Sequence, residues 1–205
     1  MQPRNPQSSP GALIFDCDGT LVGTMPAHYL AWRATMHHYG VEFSEDRFYQ
    51  LGGVPTARIV AMLAEETGRS LDPDAIAHEK EHAYYQLSDH IAPVEPVLAV
   101  ARQHRGKLPM AVATGSVRES AERSLRKIGV LDWFDALVTA EDVAHPKPAP
   151  DVFLEAARRL HTPAHRCRVY EDTDLGLEAA RRAGMTVVDV RSMYTPRRVT
   201  ETGRA

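Results

Sequence analysis

Ala12-Leu13-Ile14-Phe15-Asp16-Cys17-Asp18-Gly19-Thr20 is the stretch on which the fold turns. Four apolar residues without alternation read as a short strand buried on both faces. The abrupt change to Asp16-Cys17-Asp18-Gly19-Thr20 marks the carboxyl end of that strand. In an open α/β sheet, ligands bind in the crevice beyond the strand ends. Asp-x-Asp-Gly-Thr arises by chance in a chain of this length on the order of a few times in a thousand, so the segment reads as chemistry rather than as a turn.

Working outward, four more runs rich in Val, Leu and Ala read as strands, at 108–114, 136–139, 168–170 and 186–190. Helical periodicity falls between the later ones, at 117–128, 150–160 and 174–183, with Gly129 and Gly184 where helices would stop. Strand–helix alternation predicts a parallel sheet with helices on both faces. Residues 26–91 interrupt the alternation. They read as helices at 27–39, 56–67 and 72–90, broken by Gly40 and by Gly52-Gly53-Val54-Pro55. The expected fold is therefore α/β: a Rossmann-like parallel sheet core made of 11–25 and 92–205, with an inserted helical cap at 26–91. Pro93 and Pro96 mark the return to the core.

The 205 residues are 43% hydrophobic and 25% charged, which suffices for one ordinary core plus an insertion. A net charge of -3 without a basic stripe argues against nucleic acid or a membrane surface as partner. No window approaches the roughly 18 apolar residues of a membrane span. The first ten residues are polar and Pro/Ser-rich, unlike a signal peptide, and read as a loose arm of a cytoplasmic protein. Cys17 and Cys167 read as small buried apolar residues. His78 and His82 are four apart, but Glu79, Lys80 and Glu81 between them make that stretch a solvated helix face. His37-His38 suits a helix carboxyl end, and Arg197-Arg198 is too short a run for nucleic acid. The oligomeric state is not legible.

Each strand end carries something reactive. After the first come Asp16 and Asp18; after the second, Thr114-Gly115-Ser116; beyond the third, Lys147; after the fourth, Glu171-Asp172. Four carboxylates at one rim repel each other unless a cation or protons intervene. Oxygen-only ligands suit a hard ion, and Mg²⁺ is held by one or two carboxylates with water and substrate phosphate. Lys147 adds a second positive charge for that phosphate, and Thr114, Ser116 and nearby backbone N–H groups can bond its oxygens. An aspartate is ionised at neutral pH and serves as a nucleophile by forming an aspartyl phosphate, which fits Asp16. Asp18, two residues on in an extended segment, points the same way and suits general acid/base work.

In this order the four segments resemble the four motifs of the haloacid dehalogenase superfamily, over a span from Gly11 to about Arg191. Leu13-Ile14-Phe15-Asp16, Lys147-Pro148-Ala149-Pro150-Asp151 and Ala179-Ala180-Arg181-Arg182-Ala183-Gly184-Met185 are similar to the subgroup with a helical cap after the first motif. That subgroup contains β-phosphoglucomutases and small sugar-phosphate phosphatases. Thr24-Met25-Pro26-Ala27-His28 with Ala31-Trp32-Arg33 looks most like its fructose-1-phosphate phosphatase-like members. The resemblance implies Asp16 as nucleophile and Asp18 as general acid/base. It implies Mg²⁺ held by the Asp16 side chain, the Asp18 carbonyl and Asp172, with Glu171 behind them, and phosphate held by Thr114 and Lys147. It also implies that His28 and Lys80 steady the acid/base from the cap. Thr24, His28 and Trp32, four apart, share one helix face, and Trp32 also suits core packing.

Departures from the family pattern favour a phosphatase. Gly23 stands where the family often has aspartate, at a position without a catalytic role. Thr56 stands where the mutases carry an arginine for a second phosphate, with Arg58 two residues later, and Val117 replaces a mutase lysine. Asp18 argues against a dehalogenase, and Lys80, the only cap lysine, sits in the wrong helix for a phosphonoacetaldehyde hydrolase. The expected activity is Mg²⁺-dependent hydrolysis of a small phosphorylated metabolite, a fructose-1-phosphate-like sugar phosphate. The alternatives are a hexose-phosphate mutase and a non-catalytic binder of phosphometabolites.

Overall fold

The structure, a computed structural model, describes residues 9–88 and 91–199. Most of the expected N-terminal arm, and the end of the helix expected over 72–90, lie outside the described residues. Five parallel strands form one sheet in the order β3-β2-β1-β4-β5: β1 (Ala12–Phe15), β2 (Met110–Ala113), β3 (Ala136–Val138), β4 (Cys167–Glu171) and β5 (Thr186–Asp189). β1 lies at the centre, so its carboxyl end falls in the middle of the rim. The switch in strand order beside it creates the crevice that such sheets use for ligands.

Both sheet faces are covered. Ala12 and Ile14 of β1 pack with α7 (Asp151–Arg159) and α8 (Asp174–Arg182). Leu13 and Phe15 face the other way, toward α5 (Glu95–His104) and α6 (Arg118–Lys127). Every residue of β1 is therefore buried, which is why its sequence shows no alternation.

Between β1 and β2 the chain builds a layer of four helices: α1 (Met25–His38), α2 (Glu45–Gln50), α3 (Thr56–Thr67) and α4 (Pro73–Leu87). The layer has its own apolar cluster, including Tyr29, Trp32, Met36, Phe43, Val60 and Ile76. Exit and re-entry run side by side: Gly23 N donates to Ala92 O at 2.8 Å and Val94 N to Leu21 O at 2.9 Å. Local signals set the helix starts. Ser44 caps α2, Asp72 caps α4 through Asp74 N and Ala75 N, and Thr173 caps α8 through Gly176 N.

Two helices escape the periodicity reading. α2 has six residues, too few to show a period. α5 starts within the Pro93–Pro96 return segment; Pro96 sits in its first turn, where the missing N–H has no intrahelical partner to lose. The end of the chain also departs from the expected division. Past β5 it crosses to the helical layer: Tyr49 Oη donates to Arg197 O at 3.2 Å, Arg198 pairs with Asp46 at 2.8 Å, and Val199 N donates to Glu45 Oε1 at 2.8 Å. Among the described residues no helix is long and apolar enough to cross a membrane.

Candidate active site

The carboxyl ends of β1 and β4 and the loop after β3 bring Asp16, Glu171, Asp172 and Lys147 together. One oxygen of each acid lies within 4.8 Å of the others. The Lys147 ammonium donates to Asp16 Oδ1 and to Glu171 Oε2, both at 2.7 Å. Glu171 has no exposure; its Oε1 accepts from Asp172 N, Thr173 N and Thr173 Oγ1. Thr20 Oγ1 donates to Asp172 Oδ1 at 2.9 Å. Gly19, with φ +84°, is what lets Asp172 approach: a Cβ there would lie 2.2 Å from Asp172 Oδ2.

Charge does not balance within this cluster. Three carboxylates face one ammonium, an excess of two negative charges. Burial, with the charge of Glu171 added, pushes Asp16 up to about 8 despite Lys147. Burial and the charges of Glu171 and Asp16 also hold Asp172 well above the carboxylate range. An all-oxygen donor set short of two positive charges fits a hard divalent cation such as Mg²⁺. Lys147 is held above its usual range by Asp16 and Glu171, which outweigh the cost of its burial.

Asp18 stands apart from that cluster. Its Oδ1 accepts from Thr24 Oγ1 at 2.6 Å and contacts His28 Nε2 at 3.2 Å, and its Oδ2 accepts from Ser116 Oγ at 2.6 Å. Burial works against its ionisation, but His28, Ser116 and Thr24 outweigh burial and hold it below the carboxylate range. Lys80 Nζ lies 2.9 Å from His28 Nδ1. An ammonium only donates, which assigns Nδ1 as acceptor and Nε2–H as the donor to Asp18.

A cleft of about 550 Å³ opens over Asp16 and Asp18. Thr114, Gly115 and Ser116 form part of its wall, as do Trp32, His28 and Lys80 from the helical layer. Ser116 N donates to Thr114 Oγ1 at 3.1 Å, which shapes this turn. The two layers nearly touch here: a Cβ on Gly115 would lie 2.6 Å from Gly53 O. Trp32, 2% exposed, packs on Phe43 and also lines the cleft, so both readings of it apply. Thr24 is buried behind Asp18 rather than on the wall. Lys147, Glu171 and Asp172 also lie behind the wall.

Several supporting residues were not legible beforehand. Glu81 is not on a solvated face: its side chain is 13% exposed, and its Oε1 accepts from Lys80 Nζ at 2.9 Å and Thr56 Oγ1 at 3.0 Å. Tyr84 stacks on His28 with centroids 3.8 Å apart and bonds Ser124 across the layers at 2.9 Å. The available signal was the stripe Ile76, Lys80, Tyr84, all buried at intervals of four on α4. His78 and His82 are exposed and belong to no metal-like cluster among the described residues. Cys17 and Cys167 are buried and unpaired.

A carboxylate-rich site on the carboxyl rim of a parallel sheet defines the class, an α/β protein whose site lies beyond its strand ends and is built to take a cation. Residues 13–190 match the family described as haloacid dehalogenase-like hydrolase, and the chain belongs to that family. It is 44% identical over 180 residues to fructose-1-phosphate phosphatase YqaB of Escherichia coli (strain K12), covering 87% of this chain and 95% of that one. It is 33% identical to a phosphorylated carbohydrates phosphatase of Thermotoga maritima, covering 85% and 82%. Among solved structures, a hydrolase from Pseudomonas syringae superposes with a TM-score of 0.81 at 25% identity, covering 95% and 90%.

Proposed function

We propose that the protein is a magnesium-dependent phosphatase acting on a small sugar phosphate of the fructose-1-phosphate type, through an aspartyl-phosphate intermediate. Residues 26–91 serve as a cap over the site. The observation that carries the reading is Asp16: a buried carboxylate at the central strand end, paired to Lys147 and facing the cleft beside Asp18. The substrate class rests on the relatives, one a fructose-1-phosphate phosphatase and one a phosphorylated carbohydrates phosphatase. The two unpaired thiols are in keeping with the cytoplasm.

In the first step an Asp16 oxygen attacks phosphorus, the bond from phosphorus to the sugar oxygen breaks, and Asp18 gives its proton to that oxygen. In the second, water attacks the aspartyl phosphate and passes a proton to Asp18. Asp16 leaves as carboxylate and inorganic phosphate is free. Asp18 thus ends the second step protonated, in the form that the next first step requires. Asp16, Asp172 and the Asp18 carbonyl would hold Mg²⁺, with Glu171 behind them, and the bound ion supplies positive charge for the phosphoryl oxygens. Thr114, Gly115, Ser116 and Lys147 bind the phosphate. His28 and Lys80 orient Asp18, while Trp32 and Thr24 shape and support the sugar side. Closure of the helical layer excludes bulk water.

A hexose-phosphate mutase must hold a second phosphate. Arg58 is exposed and neither it nor Val117 lines the cleft, which counts against that reading. Asp16→Asn is expected to abolish Mg²⁺-dependent phosphate release from fructose 1-phosphate. Substantial residual turnover in that variant contradicts the proposal.

A further inference from the structure

The sugar side of the cleft is walled by apolar groups, among them Met25, Phe48, Val54 and Ile59, and carries one long cationic side chain, Lys80. That side chain is 3% exposed and its ammonium is already engaged. Glu81 Oε1 and His28 Nδ1 each lie 2.9 Å from it. The rings of Trp32 and Tyr84 flank it at 5.7 and 5.5 Å. Glu81 is in turn fixed by the hydroxyl of Thr56, which starts α3 and itself lines the cleft. The charge of Lys80 is thus cancelled where it stands.

A phosphate group entering this half of the cleft would bring about two negative charges out of water. It needs an uncompensated cation in return. Among the described residues lining the cleft, there is no arginine and no other lysine to supply one. Resting on the phosphatase reading, we propose that Glu81, held by Thr56, sets the charge specificity of the cleft. By neutralising Lys80 it restricts turnover to monophosphates with an uncharged, hydroxyl-bearing leaving group and rejects a second phosphate. Glu81 touches no reacting atom and acts through Lys80, as a positioning residue.

Glutamine at 81 keeps the shape and the hydrogen bonds to Lys80 and Thr56 but removes the charge. The test compares kcat and KM of wild type, Glu81→Gln, and Glu81→Gln combined with Lys80→Met. The probes are fructose 1-phosphate and fructose 1,6-bisphosphate, with Mg²⁺ in fixed free excess. In Glu81→Gln the ratio of kcat/KM for bisphosphate over monophosphate should rise roughly tenfold, the scale of one unit charge in a partly screened site. The rise should lie mainly in the KM of the bisphosphate, and adding Lys80→Met should erase it. Thr56→Val, which releases Glu81 while keeping its charge, should shift the ratio the same way by less, and it provides the reading if Glu81→Gln does not fold. An unchanged ratio, including a parallel fall in kcat on both sugars, overturns the assignment while leaving the phosphatase reading intact. No wild-type turnover of either sugar overturns both.

Discussion

Alanine at position 176 is expected to destabilise this protein, although it replaces a glycine inside a helix. Gly176 lies in the first turn of α8, and glycine-to-alanine in a helix ordinarily gains about 1 kcal/mol. Here the new Cβ would lie 2.1 Å from both Cδ and Oε2 of Glu171. Neither side can yield easily. Glu171 is fully buried, with Oε1 accepting three hydrogen bonds and Oε2 bonded to Lys147 at 2.7 Å. The backbone at 176 is tied to Thr173 Oγ1 at 3.1 Å. A contact this short forces the carboxylate off Lys147, and breaking a buried ion pair costs about 3–5 kcal/mol. After subtraction of the helix gain, the net loss is roughly 2–4 kcal/mol. Urea denaturation followed by circular dichroism measures it. The sign should reverse in a Glu171→Ala background, where the clash is gone and Gly176→Ala recovers up to about 1 kcal/mol. A Gly176→Ala variant as stable as wild type, or the same sign in both backgrounds, refutes the reasoning.

Two further outcomes are expected. Arg158 and Arg159 hold Glu155 down to about 2, so its stabilising effect is fully present above the unfolded carboxylate value near ~4.3 and is lost as pH falls towards about 2. The gap in urea midpoint between wild type and Glu155→Gln should therefore narrow across that window; a gap as large at pH 2 as at pH 6 contradicts the pairing. Tyr194 Oη donates to Gly19 O and Arg198 pairs with Asp46, so Tyr194→Phe with Arg198→Ala should speed amide exchange in α2. Unchanged exchange rules out the chain end as a restraint on that helix.

What was legible in the sequence was whatever repeats at the strand ends. β1 matches its expected bounds because four apolar residues stop abruptly at Asp16. Leu108 and Pro109 precede β2 rather than joining it, for proline has no N–H to give a ladder. The rim chemistry was legible for the same reason: parallel topology sends each carboxyl end to one edge, whatever the loops do. The helical layer was less so. Ile76, Lys80 and Tyr84 recur at intervals of four on α4, a stripe that the charged run at 79–81 hid, so that the stretch read as solvated. Glu81 beside them looked like an ordinary solvated acid. Its burial depends on how α4 packs against α1 and α3, a tertiary fact that no local pattern encodes.

The two aspartates of the first motif are held in different ways, which suits the different roles proposed for them. Asp16 is fixed by Lys147, a group of the sheet layer, and shares its acidic surroundings with Glu171 and Asp172 from β4 and the loop after it. None of these partners belongs to the helical layer. Asp18 is held by Ser116 from the sheet side, by Thr24 just before α1, and by His28 within α1, which Lys80 and Tyr84 of α4 support. Movement of the helices away from the rim would strip His28 from Asp18, whereas the Asp16–Lys147 bond joins two residues of the sheet layer. His28 is a principal reason that Asp18 stays ionised, so the same movement raises its proton affinity. On the proposed roles, the nucleophile is thus placed by the sheet layer, and the acid/base is held in part by the helical layer that also lines the cleft. On the proposed mechanism, the two aspartates of one motif would in this way tie leaving-group recognition to acid/base state through the helical layer.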